Sequence, residues 1–217
     1  MTRPLQDIAA AYESAMAARI AYRFGTTPEL VEMATSDAPF DLAIAPRELL
    51  RSAAARASLA PEPMVDIARV GIGVAVRRGA PRPDIATPEA LRRALLSARS
   101  IATIPASATG VLLDDIYRRL GIAAAMQARI RAQSGPARVV EAVASGEAEI
   151  AVFLLNVIAS PHLDVVGPLP RELQQEVVYV AGVSARTLAT PDARAFIAHV
   201  RSPAAAAVIA SYGLVPG

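Results

Sequence analysis

Apolar and polar positions alternate between two periods along the chain. Residues 4–18 place Leu5, Ile8, Ala9, Tyr12 and Met16 at helical spacing, with Pro4 suited to a first turn. Residues 19–24 (RIAYRF) alternate as a half-buried strand does. Gly25-Thr26-Thr27-Pro28 is a turn into a helix reaching about Thr35, with Thr27 as N-cap. The pattern then predicts a strand over 40–45, a helix from Pro46 to Ala57, and two strands over 64–69 and 70–77. A Pro/Gly-rich loop follows to Pro88, where Thr87-Pro88-Glu89 opens a helix ending near Ala98. Beyond it come a strand over 100–105, helices over 111–120 and 122–131, a turn at 133–136 and a helix over 137–145. The run Glu149–Leu155 reads as a buried strand, 165–169 and 176–183 as further strands, and 190–200 and 203–212 as closing helices. Strands alternating with helices of this length predict an α/β fold with mainly parallel sheets.

Composition narrows the chemistry. The 217 residues are 53% apolar, enough to bury a substantial core and too apolar for a disordered chain. Cysteine is absent, which excludes disulfides, thiolate chemistry and Cys-based zinc sites. Two histidines, His162 and His199, make a His-rich metal centre untenable, so no metal is expected. All 22 basic side chains are arginine. Without lysine there is no Schiff base and no Walker A loop, and no cofactor is expected. The net charge of +2 is scattered and aromatics are 4%, against the clustered basic stripe that nucleic-acid binding needs. No run has the length of a membrane span, and Arg3, Gln6 and Asp7 do not open a signal peptide. With Met1 as the native start the protein is therefore expected in the cytoplasm; with an export signal upstream, in the periplasm.

No catalytic constellation stands out. Asp114-Asp115 lie on an amphipathic pattern and read as a solvated helix face. His199 falls near a helix C-terminus, where a cation suits the dipole; His162 reads as an exposed turn residue. Gly71-Ile72-Gly73 is followed by strand-like residues rather than a helix, so a dinucleotide fingerprint is rejected. What recurs is small loops just before helices: Gly25-Thr26-Thr27, Ser107-Ala108-Thr109-Gly110 and Ser134-Gly135-Pro136. Free N–H groups at a helix start carry the positive dipole end, so such loops suit a small anion without lysine.

The block Val70-Gly71-Ile72-Gly73-Val74-Ala75-Val76-Arg77-Arg78-Gly79-Ala80-Pro81 resembles the molybdate-binding-protein family of bacterial solute-binding proteins. So do Thr87-Pro88-Glu89-Ala90-Leu91 and the tail segments Val166–Gln174 and Ser202–Ala206. The resemblance spans essentially the whole chain. It implies two α/β lobes, each a mainly parallel sheet flanked by helices, joined by two crossing strands. Lobe one would hold residues 1–69 plus 180–217, and lobe two residues 70–179. An oxyanion would lie between them, held by Thr26 and Thr27, by Thr109 and Gly110, by the Ser134, Gly135 and Pro136 turn, and by a final contact at Asn156. The family's usual first strand has no counterpart before Pro4, Pro136 has no N–H to donate, and Phe153-Leu154-Leu155 are apolar where relatives are polar. The missing strand would leave a lobe-one sheet edge open, a place for a homo-oligomer to form.

The first functional reading is thus a solute-binding protein that delivers a small, molybdate-like oxyanion to the membrane subunit of an ABC importer, rather than an enzyme. The runner-up is an enzyme on the same scaffold, such as an isomerase of a small polycarboxylate, for which Glu29 and Arg138 are the nearest polar candidates. The third is a degenerate cytoplasmic homologue without ligand.

Overall fold

In a computed structural model the chain is described at residues 1–25, 29–30, 32–33, 36 and 38–217. It divides into two compact units, one of Met1–Arg69 with Val177–Gly217, the other of Val70–Glu176. The chain therefore leaves the first unit between Arg69 and Val70 and returns between Glu176 and Val177.

In the first unit, helix α1 (Thr2–Met16) buries Ile8, Ala9 and Tyr12. Strand β1 (Leu42–Pro46) pairs antiparallel with β7 (Glu176–Val183). Two short helices, α2 (Arg47–Arg51) and α3 (Ala53–Ala57), follow β1. The sequence predicts one helix there, but Ser52 is extended (φ −55°, ψ 143°) and accepts the Ala55 N–H as a new N-cap. The residues at 19–24, expected as a strand, form no ladder with any described residue. Alternation makes a strand only where a neighbouring strand accepts its hydrogen bonds; here the Ile20 N–H goes to the Glu13 carboxylate instead.

Strand β2 (Val65–Arg77) is continuous, where the sequence suggests two strands. Gly71 and Gly73 lie within it without a turn. Gly73 is required by packing, since a Cβ there would sit 2.7 Å from the Gly167 carbonyl oxygen. The start of β2 pairs with β8 (Val215–Pro216) in the first unit. Near the C-terminus of the first unit, α9 (Thr190–Val200) and α10 (Pro203–Ser211) pack against α1.

The second unit contains helices α4 (Pro88–Ser97), α5 (Ala108–Arg119), α6 (Ala123–Gln127), α7 (Pro136–Ala144) and α8 (Leu155–Ile158). Its strands are the later part of β2, β3 (Ile101–Thr103), β4 (Ile130–Ala132), β5 (Ile150–Leu154) and β6 (Leu163–Pro168). β3 lies between β4 and β5 and is parallel to both. β2 is antiparallel to β5 and β6. The α/β class expected from the sequence is what the chain adopts, with mixed ladders rather than mainly parallel ones. The helix expected over 122–131 stops at Gln127, because Ile130–Ala132 is taken up as the parallel neighbour of β3. One face of the sheet packs Ile101, Ile150 and Val152 against Leu91, Leu95, Leu113, Ile116 and Tyr117 of α4 and α5. The other meets α7 through Val139, Ala142 and Val143.

Candidate functional site

Because β4, β3 and β5 are parallel and adjacent, their carboxyl ends lie at one edge of the second unit, and each is followed by a helix that starts there. Open α/β sheets bind ligands at that edge, where strand ends give way to helix N-termini.

The turn from β3 into α5 is built around Ser107. Its hydroxyl donates to the Ile104 carbonyl at 2.7 Å and accepts the Gly110 N–H at 3.1 Å. That cap leaves the N–H groups of Ala108 and Thr109 without an acceptor among the described residues. Thr109 is buried. Gly110 permits the turn to close: a Cβ there would stand 2.1 Å from the Pro105 carbonyl oxygen and 2.6 Å from that of Ile104. Arg118 and Arg119 occupy the last turn of α5, the end where cations suit the dipole.

The turn from β4 into α7 is tied to β3 by the Gln133 N–H, which donates to the Thr103 carbonyl at 2.8 Å. Gly135 is the N-cap of α7 in an extended conformation and offers no side chain to cap it. Pro136 takes the first helical position, so its missing N–H costs nothing there. The N–H groups of Ala137 and Arg138 are left without an acceptor among the described residues. The sequence reading assigned this loop to Ser134, Gly135 and Pro136 and named Arg138 for its side chain, but missed the open amides of Ala137 and Arg138. The signal was present: a proline at the first helical position hands the open donors to the two residues after it. The Arg138 guanidinium itself is engaged by Glu141 at 2.6 Å and Glu147 at 3.4 Å.

After β5, Asn156 is the second residue of α8, and its side-chain oxygen is buried with no hydrogen-bond partner. The Thr103 hydroxyl, at the end of β3, is in the same condition. Thr109, Gly110, Ser134, Gly135, Pro136 and Asn156 thus all lie on the segments that follow the three parallel strands. Thr26 and Thr27 lie outside the described residues. Segments 103–110, 133–137 and 154–157 carry no carboxylate and no histidine, so what these segments supply is neutral donors and dipole ends. No group of histidines and carboxylates able to hold a metal is found among the described residues.

A cavity of about 690 Å³ lies at the opposite edge, lined by Arg77, Arg82, Arg99, Arg131, Glu147 and Glu149. Arg99 pairs with Glu149 at 3.2 Å and Arg82 with Asp164 at 3.6 Å, so two of the four arginines there have an acidic partner. Asp114 and Asp115 both face Arg118 on the surface of α5. Burial pushes the Tyr117 hydroxyl well above its ordinary pKa.

A family model for bacterial extracellular solute-binding proteins matches residues 1–215. The chain belongs to that family. A Pseudomonas protein named aconitate isomerase is 31% identical over 220 residues, covering 98% of this chain and 83% of that protein. The periplasmic molybdate-binding protein of Azotobacter vinelandii shares the fold with a TM-score of 0.77 at 18% identity, covering all of this chain and 95% of that one. The ferric-binding protein of Campylobacter jejuni does so with a TM-score of 0.79 at 15% identity, covering 98% and 83%. A fold shared by a molybdate-binding protein and a ferric-binding protein does not by itself choose the ligand.

Proposed function

We propose that this solute-binding protein is a receptor for a small anion, held at the carboxyl edge of β4, β3 and β5 and handed to an ABC importer outside the cytoplasmic membrane. The observation that carries the reading is the set of open N–H groups on Ala108, Thr109, Ala137 and Arg138, at the starts of two helices that follow adjacent parallel strands. Such amides are charge-matched to an anion and already oriented, so little ordering is lost on binding. Neutral donors, with Arg138 already paired to Glu141 and Glu147, favour a compact, fully ionised oxyanion of the molybdate type over a bulky carboxylate.

A second reading has one observation in its favour, the 31% identity to a protein named aconitate isomerase over nearly the whole chain. On that reading the ligand is a tricarboxylate and the protein moves a proton. The base would have to come from outside the three strand-end segments, which carry none. Calorimetric titration with molybdate, sulfate, cis-aconitate and trans-aconitate separates the two. Saturable binding of an oxyanion supports the first. Binding of aconitate, with interconversion of its isomers followed by proton NMR, supports the second. Silence toward all four removes the anion-receptor reading.

A further inference from the structure

The Thr103 side chain is 2% exposed and its hydroxyl has no hydrogen-bond partner. A buried hydroxyl in that state destabilises the fold by its lost hydration, so its presence asks for an explanation. By strand alternation Thr103 projects from the same sheet face as Ile101, the face covered by α5. It is the last residue of β3, and its own carbonyl receives the Gln133 N–H that fixes the start of the neighbouring turn. Thr103 therefore stands at the strand end, its side chain on the face of α5 and its backbone carbonyl tied to the turn that leads into α7. Ser107 makes a contrast on the same loop: its hydroxyl is fully used, as donor to Ile104 and acceptor from Gly110. The loop supplies a partner where a cap is needed and none for Thr103.

We propose that Thr103 is a ligand-contacting residue, its hydroxyl donating to the bound anion beside the amides of α5 and α7. The inference rests on the anion-receptor reading and adds to it a side chain that the sequence did not single out. A donor enclosed by apolar neighbours makes a stronger bond to an ionised oxygen than one in water. The same enclosure makes the hydroxyl unfavourable while the site is empty.

That opposition gives the test. Thr103→Val keeps the shape of the side chain and removes the hydroxyl; Thr103→Ser keeps the hydroxyl. Melting temperature without ligand and dissociation constant by calorimetry are read for both variants and wild type, with molybdate, sulfate, cis-aconitate and trans-aconitate as probes. Thr103→Val is expected to melt above wild type and to bind whichever probe wild type takes about ten- to a hundredfold more weakly, the range for losing a hydrogen bond to a charged group. Thr103→Ser is expected to keep affinity within about threefold while melting lower, through the cavity left by its lost methyl. If Thr103→Val binds as wild type does, the hydroxyl has no ligand role and the inference fails, with the anion-receptor reading intact. If wild type binds none of the probes, both fail together.

Discussion

Replacing Gly110 by alanine sets two calculable effects against each other. Gly110 lies in the first turn of α5, where alanine would gain about 1 kcal/mol of helix propensity. The added Cβ, however, would lie 2.1 Å from the Pro105 carbonyl oxygen and 2.6 Å from that of Ile104. Both obstacles are backbone, so no rotamer change relieves them; the helix start and the β3–α5 turn must separate. Overpacking costs about 1–3 kcal/mol where side chains can yield, and a contact with fixed backbone belongs at the top of that range. The net loss is about 2 kcal/mol, or roughly 4–8 °C in melting temperature for a chain of this size. Separation also breaks the Ser107–Gly110 cap and displaces the Ala108 and Thr109 amides, so anion affinity should fall with stability. Gly135→Ala is the control. Nothing lies within 4 Å of a Cβ at Gly135, and its φ of −172° is open to any residue. It should melt within about 2 °C of wild type, as a substitution without a named mechanism does. Calorimetry reads the melting temperatures, and amide hydrogen exchange assigns the loss to the second unit. A Gly110→Ala variant as stable as Gly135→Ala would refute the close-approach argument.

Three other substitutions test the frame of the second unit. Arg129 donates to the carbonyls of Leu96 (3.0 Å), Ala98 (3.2 Å) and Ala125 (2.9 Å), satisfying groups at the ends of α4 and α6. Arg129→Met keeps the apolar stem, strands those carbonyls and should cost about 3 kcal/mol in urea unfolding, given 1.5–3 kcal/mol for one charged hydrogen bond. The Gln174 side chain accepts the Ile72 N–H at 3.0 Å and donates to the Ile72 carbonyl at 2.9 Å. Gln174→Leu should lower stability by about 1 kcal/mol and raise the exchange rate of the Ile72 amide, since that N–H loses its acceptor while the Ile72 carbonyl keeps the Leu169 N–H. The Gly79 N–H, with the charge of Arg82 added, holds the Asp164 carboxyl below its ordinary pKa. Its contribution is present at neutral pH and disappears as pH falls through the folded value, so Asp164→Asn should flatten the acid limb of a stability–pH profile.

The hydrophobic period made the buried strand at 150–154 and the proline-started helices legible in the sequence, because their signals are local. Thr87-Pro88-Glu89 places α4 as the structure has it, with the Thr87 hydroxyl accepting the Ala90 N–H. Failures came where a partner elsewhere in the chain decides. Ile130–Ala132 scans as the end of a helix and becomes β4 because β3 is there to pair with it. Residues 19–24 scan as a strand and find no ladder among the described residues. Residues 64–69 and 70–77 scan as two strands and form one, β2, within which Gly73 admits the Gly167 backbone. At the candidate site the helix-start loops were legible through their small residues. The donors on Ala137 and Arg138 were harder to see, because an open amide carries no side-chain signature. The idle hydroxyl of Thr103 was invisible, since a threonine in a strand differs from a satisfied one only by its surroundings.

The most direct test of the central claim is an amide NMR titration of the ¹⁵N-labelled protein with molybdate, then with cis- and trans-aconitate. The account predicts saturable shifts concentrated at Ala108, Thr109, Ala137 and Arg138. Shifts confined to the opposite edge, around Arg77, Arg99 and Glu149, or no saturable shift with any of these anions, would contradict it.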